Sequence, residues 1–198
     1  MLIVISNPAP VANEPAIINA LFEEGLELLH LRKPMLAMDE VRILIDSIHP
    51  KYRHQIALHQ YHELAMDAGI NRLHFTGTKR TATGDNALMT LKTNNTILST
   101  SIHDAETYCS LSPCFGYAFF GPVFNSISKQ GYTSILPVDF VFPVQESKPA
   151  IIAIGGIDAA NIQKVKGMQF NGAAVLGTIW KNVNDSVHQF KAVQKAWN

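Results

Sequence analysis

The chain alternates between short apolar runs and longer segments in which apolar residues recur every three or four positions. Short apolar runs bounded by turn residues predict buried strands, and the longer period predicts amphipathic helices. The predicted strands are Leu2–Ser6, Leu26–Arg32, Gln55–Gln60, Arg72–Thr76, Thr96–His103, Phe115–Val123, Ala150–Gly155 and Gly172–Leu176. The predicted helices are Glu14–Glu24, Met38–Ile48, Glu63–Ala68, Asn86–Thr93, Asp104–Ser110, Asp139–Gln145, Ala159–Lys166 and Asp185–Trp197.

Strict alternation of strands and helices predicts an α/β protein, a single (β/α)8 TIM barrel with a closed parallel sheet, over residues 1–198. Continuous apolar strands fit a parallel sheet that is covered on both faces. An open doubly wound sheet is the alternative, but it needs fewer strands, and no G-x-G-x-x-G follows Ser6. The longest irregular stretch, Gly121 to Pro137, follows the sixth strand and is a candidate lid over the active-site face.

Composition narrows the class of partner. Lysine plus arginine equals aspartate plus glutamate at 16 each, so nucleic acid and anionic membranes are not expected partners. The first residues lack the basic region of a signal peptide, and no apolar run is long enough to cross a membrane. Cys109 and Cys114 have no zinc-site spacing. We therefore expect free thiols and a cytoplasmic protein.

Two glycine turns at the ends of the last two strands indicate an anion site. Gly155 and Gly156 end the seventh strand, and Gly177 and Thr178 follow the eighth. In (β/α)8 barrels these two loops commonly bind phosphate through backbone N–H groups, which glycine leaves accessible. The alternative is that they are ordinary turn and cap glycines. The sequence predicts a phosphate site at these four residues.

The end of the second strand carries His30, Arg32 and Lys33. The period of two sends His30 and Arg32 to the same side of the sheet. An arginine in an apolar run is costly to bury alone, and its guanidinium can hold two oxygens of a phosphate or carboxylate. A structural ion pair is the alternative. We expect Arg32, with Lys33 beside it, to bind substrate.

Three further histidines, His59, His74 and His103, lie at or near the ends of strands three to five. Together with His30 they place four imidazoles near one mouth of the barrel. A metal site would need two or three of them and a carboxylate, and no Asp or Glu ends a strand near the close pair His59 and His62. The pattern favours proton carriers or hydrogen-bonded histidines, and no metal ligand is assigned.

The loop after the sixth strand interleaves hydroxyl groups with a lysine, at Ser126, Ser128 and Lys129. Such a loop can hydrogen-bond a carboxylate or phosphate and close over it. A solvated loop with an ordinary lysine is the alternative. These three residues are candidate substrate-binding residues.

The pattern resembles the thiamine phosphate synthase and thiazole tautomerase family over nearly the whole chain. The resemblance rests on six short segments that keep the family's order. They are His30–Lys33, Ile70–Phe75, Ser99–His103, Gly121–Lys129, Ala153–Ile157 with Asn161, and Gly172–Val175. It implies that a thiazole phosphate is held by the loops after strands seven and eight. In the synthases it also implies a pyrimidine diphosphate held by the arginine, by an Asn-Asp pair and by magnesium.

Each of the two family activities lacks a residue here. His59-Gln60 stands in place of the synthase Asn-Asp pair, and residues Thr76 to Arg80, where the second metal-binding aspartate is expected, contain no carboxylate. Lys79 or Arg80 could assume part of the metal's role. Tautomerases have a catalytic histidine after the strand-six glycine, where this chain has Pro122.

The resemblance therefore favours a metal-independent, tautomerase-like isomerase that moves a proton on a phosphorylated thiazole, with His103, His30 and His74 as candidate catalytic residues. A thiamine phosphate synthase and a non-catalytic thiazole phosphate binder are the alternatives. No cofactor is expected, except magnesium for a synthase. The expected partner is a small phosphorylated thiazole, and a homo-oligomer remains open.

Overall fold

A computed structural model describes residues 1–125, 136–137 and 139–198. It confirms the predicted (β/α)8 fold, because eight parallel strands close into one barrel in chain order. Strand β8 pairs with β1 through Ala173, Ala174 and Val175, which completes the ring. The strands are β1 Leu2–Ile5, β2 Leu28–Leu31, β3 Ile56–Leu58, β4 Arg72–Phe75, β5 Ile97–Ile102, β6 Phe115–Phe120, β7 Ala150–Ile154 and β8 Gly172–Val175.

Helices connect most of the strands on the outside of the barrel. Within the described ranges the α-helices are α1 Glu14–Glu23, α2 Met38–Asp46, α3 Gly77–Thr83, α4 Asp85–Thr93, α5 Ala105–Ser110, α6 Ile162–Gly167, α7 Gly177–Trp180 and α8 Ser186–Trp197. Short 3-10 helices occur at Pro50–Gln55, His62–Leu64 and Val183–Asp185. Among these residues, no helix has the length and apolar character that crossing a membrane requires.

The prediction of a helix at Asp139–Gln145 is wrong. The described residues there are irregular, and Phe142 is held by a bond from its N–H to the carbonyl of Met168. Pro143 explains the difference, since it has no N–H for a helical bond and disfavours the helical conformation of the residue before it.

Two other connections also differ from the prediction. No α-helix forms at Glu63–Ala68, and the short 3-10 helix His62–Leu64 overlaps only the first two residues of that range. Between β4 and β5 there are two helices instead of one, and Gly84 separates them with a φ of 76°. That left-handed backbone is accessible to glycine and interrupts the helical path.

The strand period of two divides the core into two regions. Leu29 and Leu31 of β2 pack outward against the helices. Leu28 faces the barrel interior, where His30 contacts the hydroxyl of Tyr117. Because of the same alternation, inward-facing residues near the C-terminal ends of the strands line the mouth of the barrel.

Candidate functional site

A cavity of about 480 Å³ opens at the C-terminal ends of the strands, and we call it the mouth cavity. This is the face at which (β/α)8 enzymes place their active sites. The side chains and turns of its wall used below are Arg32, His59, His74, Ser101, His103, Gly155–Ile157 and Leu176–Thr178. Of the chain's eight histidines, three therefore line one cavity.

Arg32 lies in the wall of the mouth cavity, just after β2. Its backbone N–H and carbonyl are both bonded to the side chain of Ser6, which fixes the position of the residue. Among the described residues its guanidinium has no ion-pair or hydrogen-bond partner. The side chain is half-buried, and its unpaired guanidinium can bind an anion through two parallel hydrogen bonds.

The turns after β7 and β8 form the opposite part of the wall. The N–H groups of Gly155, Gly156, Gly177 and Thr178 donate to no acceptor in the described turns and loops. The first N–H groups of a helix also lack an intrahelical acceptor, which leaves those of Gly177 and Thr178 at the start of α7 available. We call these four N–H groups the amide cup.

Packing supplies a second reason for glycine in the first of these turns. Gly155 and Gly156 have φ angles of 103° and 67°. A Cβ on Gly156 would lie 2.2 Å from the carbonyl oxygen of Asn125, and one on Gly155 would lie 2.8 Å from Cα of Pro122. The backbone after β6 thus rests directly on the turn that carries half of the amide cup.

Histidines 30, 59 and 74 come together at the bottom of the mouth cavity, where His59 and His74 form part of its wall and His30 lies behind them. The Nδ1 of His30 lies 2.9 Å from Nε2 of His59, and its Nε2 lies 2.6 Å from the hydroxyl of Tyr117. The rings of His59 and His74 stack with centroids 4.1 Å apart. His30 and His74 are fully buried, so neither of these two candidate catalytic residues faces the mouth as openly as the sequence predicted.

Burial keeps these imidazoles neutral. It lowers the pKa of His74 to about 3, and the charges of nearby His62 and Arg32 act in the same direction. Burial also holds the pKa values of His30 and His59 well below the usual 6.5. A neutral imidazole carries one N–H and one lone pair, so each ring serves as one donor and one acceptor.

His103 lies at the rim of the mouth cavity, and its ring is exposed. Its Nδ1 donates to the carbonyl of Gly121 at 2.9 Å, which orients the ring and leaves Nε2 available. Of the three candidate catalytic histidines, it is the one with an exposed ring nitrogen and an orienting partner. This arrangement suits a general acid or base.

Lys33 does not lie in the wall of the mouth cavity, contrary to the expectation that it binds substrate. Its ammonium group is fully buried, 2.5 Å from a carboxylate oxygen of Glu14. It also donates to the carbonyls of Asn7 and Ala9. All three ammonium protons are therefore used within the protein. Lys33 fixes the loop after β1, to which the cavity residues Asn7 and Pro8 belong.

Lys79 and Arg80 stand beside the mouth cavity but not in its wall. Arg80 donates to the hydroxyl of Thr100 and the carbonyl of Ser101. The ammonium of Lys79 is 3.3 Å from Nδ1 of His62, and burial lowers the pKa of Lys79. The predicted loop residues Ser126, Ser128 and Lys129 lie outside the described residues.

The described wall of the mouth cavity contains no aspartate or glutamate, and residues 126–135 have none in their sequence. Magnesium prefers hard oxygen ligands, usually one or two carboxylates, so the residues present do not fit it. His30, His59 and His74 could offer nitrogen to a softer ion, since one ring nitrogen of each lies within 4.8 Å of the others. The rings of His59 and His74 are stacked with planes only 23° apart, and lone pairs in two nearly parallel planes are poorly placed to share one ion.

Sequence reasoning missed the roles of His59 and Tyr117. His59 lines the cavity and is not among the predicted catalytic residues, although it directly follows β3, in phase with Ala57 on the inward side. That period of two was the signal that could have found it. The contact between Tyr117 and His30 joins residues 87 positions apart, for which the sequence carries no local signal.

Comparison with known proteins agrees with this fold and identifies a family. A family model described as thiamine monophosphate synthase matches residues 2–179. The thiamine-phosphate synthase of Pasteurella multocida (strain Pm70) is 28% identical over 127 residues, which are 62% of this chain and 56% of that protein. The chain thus aligns with little more than half of that relative's length.

Two solved structures resemble the chain over nearly its whole length. The thiamine phosphate pyrophosphorylase of Bacteroides thetaiotaomicron superposes with a TM-score of 0.74 at 25% identity, covering 98% of this chain and 96% of that one. The thiamine phosphate pyrophosphorylase of Pyrococcus furiosus gives a TM-score of 0.77 at 16% identity, covering 99% and 94%. The second likeness shows the fold alone.

Proposed function

The chain belongs to the thiamine monophosphate synthase family, and from this premise we propose that it is a transferase that joins a pyrimidine diphosphate to a thiazole phosphate and releases diphosphate. Two relatives with thiamine phosphate synthase or pyrophosphorylase in their names support this choice over the isomerase favoured by the sequence.

The observation that carries the proposal is the presence of two anion-binding elements in one cavity. Arg32 follows β2, and the amide cup follows β7 and β8, so they flank β1 on opposite sides. Each can hold one phosphate-bearing end of a ligand through donors that have no other partner in the described structure. A reaction between two phosphorylated substrates needs two such elements.

The chain's own cation takes a defined part in this reaction. When the pyrimidine carbon leaves its diphosphate, negative charge develops on the departing oxygens. The guanidinium of Arg32 stabilises that charge, and the apolar lining from Phe119 and Ile154 lowers the local dielectric constant. The amide cup holds the thiazole phosphate, so the ring nitrogen approaches the pyrimidine carbon in a fixed orientation.

The test is synthesis of thiamine phosphate from the two purified substrates, followed by chromatography. Product and diphosphate in equal amounts are expected. Parallel reactions with magnesium and with EDTA show what stabilises the charge on the leaving diphosphate. Turnover that persists in EDTA depends on the protein's own cations. Arg32→Met is expected to abolish turnover, and His54→Asn, an exposed residue outside the cavity, serves as the control. No product in either arm would rule the transferase out.

A tautomerase-like isomerase is the second candidate, and the absence of carboxylates from the described cavity wall favours it. Its substrate also carries two anions, a phosphate and a carboxylate, so it fits the same two elements. The exposed ring of His103 is then the proton carrier. Incubation with the thiazole carboxylate phosphate tautomer alone should give isomer, and His103→Ala should slow it by a factor of about 100 or more.

A further inference from the structure

Three side chains in the barrel interior, Tyr117, His30 and His59, form one hydrogen-bond chain, which we call the interior relay. The hydroxyl of Tyr117 lies 2.6 Å from Nε2 of His30, and Nδ1 of His30 lies 2.9 Å from Nε2 of His59. His74 stands beside the relay, with its ring nitrogens 3.0 Å from the hydroxyls of Ser99 and Ser101. Ser99 donates its proton to the carbonyl of Leu73, so these contacts are separate from the relay.

The interior relay reaches the mouth cavity at His59, which lines it. The Nδ1 of His59 has no protein partner in the described structure, where no buried side-chain nitrogen or oxygen is left without one. This nitrogen is therefore not buried, and a ligand in the cavity can contact it. The face of the His59 ring is held by His74, and its other edge is held by His30.

Neutral rings restrict the interior relay to two arrangements. Each imidazole has one N–H, and burial raises the pKa of Tyr117 to about 12, so that residue keeps its proton. In the forward arrangement Tyr117 donates to Nε2 of His30, and Nδ1–H of His30 donates to His59. His59 then carries its own proton on Nδ1. In the reverse arrangement every donor is exchanged, and Nδ1 of His59 is an acceptor.

We propose that the forward arrangement operates when an anion occupies the mouth cavity, so that His59 donates its Nδ1–H to the same phosphate-type group that Arg32 binds. Tyr117 and His30 are then positioning residues that set the tautomer of His59. The inference deepens the proposed function, and it rests on that function only in taking the ligand to be an anion.

The chemistry of the cavity favours the forward arrangement. Arg32 is close enough for its charge to disfavour protonation of His59, so a second full positive charge there is costly. A neutral N–H avoids that cost and still meets an oxygen that can only accept. Aligned hydrogen bonds polarise one another, which strengthens the donor at the end of the chain. A ligand that presented an N–H to Nδ1 of His59 would require both hydrogen bonds of the relay to reverse, and this discriminates in favour of acceptor groups.

The direct test is nitrogen NMR of protein labelled with ¹⁵N-histidine, which assigns the tautomer of each ring. With saturating inorganic diphosphate, the protonated nitrogen is expected to be Nδ1 in His59 and in His30, and the His59 signals are expected to move on addition. His59 found as the Nε2–H tautomer or as imidazolium, or His59 signals that do not respond to diphosphate, would overturn the inference.

Variants give an independent reading. His59→Leu should weaken diphosphate binding roughly tenfold or more, since a hydrogen bond to a charged group is lost, whereas His59→Gln keeps an N–H and should stay within about threefold. Tyr117→Phe should give a mixture of tautomers at His30 and His59. The matched control is Tyr108→Phe, an equally buried tyrosine whose hydroxyl accepts from the N–H of Gln145. Equal binding by His59→Leu and wild type would refute the contact.

These readings do not depend on turnover. Thiamine phosphate synthesis with His59 in the wrong tautomer would reject the interior relay and leave the transferase standing. If the expected tautomers and the diphosphate response are observed but no thiamine phosphate is made, the interior relay stands and the transferase proposal is rejected.

Discussion

Acid should destabilise this protein steeply, because its barrel interior buries imidazoles that cannot accept a proton. Lowering the pH from about 7 to about 5.5 protonates histidines in the unfolded chain, where the usual pKa is 6.5. In the folded state burial lowers the pKa values of His30 and His74 far below that window. The unfolded state therefore binds more protons, and stability is present above pH 6.5 and is lost as the pH falls.

The magnitude follows from the two fully buried rings. Each histidine that protonates only on unfolding lowers the free energy of unfolding by about 1.25 kcal/mol over this interval, so His30 and His74 together lower it by about 2.5 kcal/mol. His59 adds to the same effect. Glu14 acts in the opposite direction, because burial raises the pKa of its carboxyl. A loss of about 2.5 kcal/mol is a large part of the stability of a typical domain.

Urea denaturation at several pH values measures this loss, provided that the m-value stays constant. His74→Asn should remove about one proton from the uptake on unfolding, whatever it does to absolute stability. His54→Asn, at an exposed position, should leave the slope unchanged. A free energy of unfolding that is flat between about pH 7 and about pH 5.5 would show that the interior histidines are not held neutral.

Three substitutions test other parts of the structure. Arg32→Lys should weaken binding of inorganic phosphate or diphosphate about tenfold in calorimetry, since the two-pronged contact is lost, and a fall in melting temperature without loss of binding would make the arginine structural. Gly156→Ala should destabilise by about 1–3 kcal/mol in urea titrations, because its Cβ would overlap the carbonyl of Asn125; no effect would mean that the turn relaxes freely. Lys33→Met should lower the free energy of unfolding by about 3–5 kcal/mol, because it leaves Glu14 buried and unpaired. The double variant with Glu14→Leu should recover most of that stability, and a double variant that is equally unstable would contradict this account.

The barrel was predictable because its strands carry a local signal. Each of the eight predicted strands overlaps an observed one, and apolar runs separated by turns are sufficient to locate them. The helix predicted at Asp139–Gln145 failed because apolar spacing was given more weight than Pro143. The division of the β4–β5 connection depends on the backbone of Gly84, which a polar segment does not reveal.

Parts of the site were predictable for the same reason. The period of two places His30 and Arg32 on the inward side, and the structure has both there. The burial of Lys33 was not predictable, since Glu14 lies 19 residues away on another element. The hydrogen-bond partners of His74 are Ser99 and Ser101 of the neighbouring strand. Such partners are set by the closure of the barrel and not by nearby sequence.

The contact between the backbone after β6 and the turn after β7 has a consequence for protein engineering. Val123 and Phe124 donate their N–H groups to the carbonyls of Ile154 and Gly155 at 3.0 and 3.1 Å. If residues 126–135 are exchanged for another segment, the new segment begins directly after backbone that these two hydrogen bonds hold beside the amide cup. Doubling the length of a flexible loop costs only about 0.6 kcal/mol in closure entropy. The barrel thus offers a position at which inserted segments can be screened for new specificity without changing the scaffold or the amide cup.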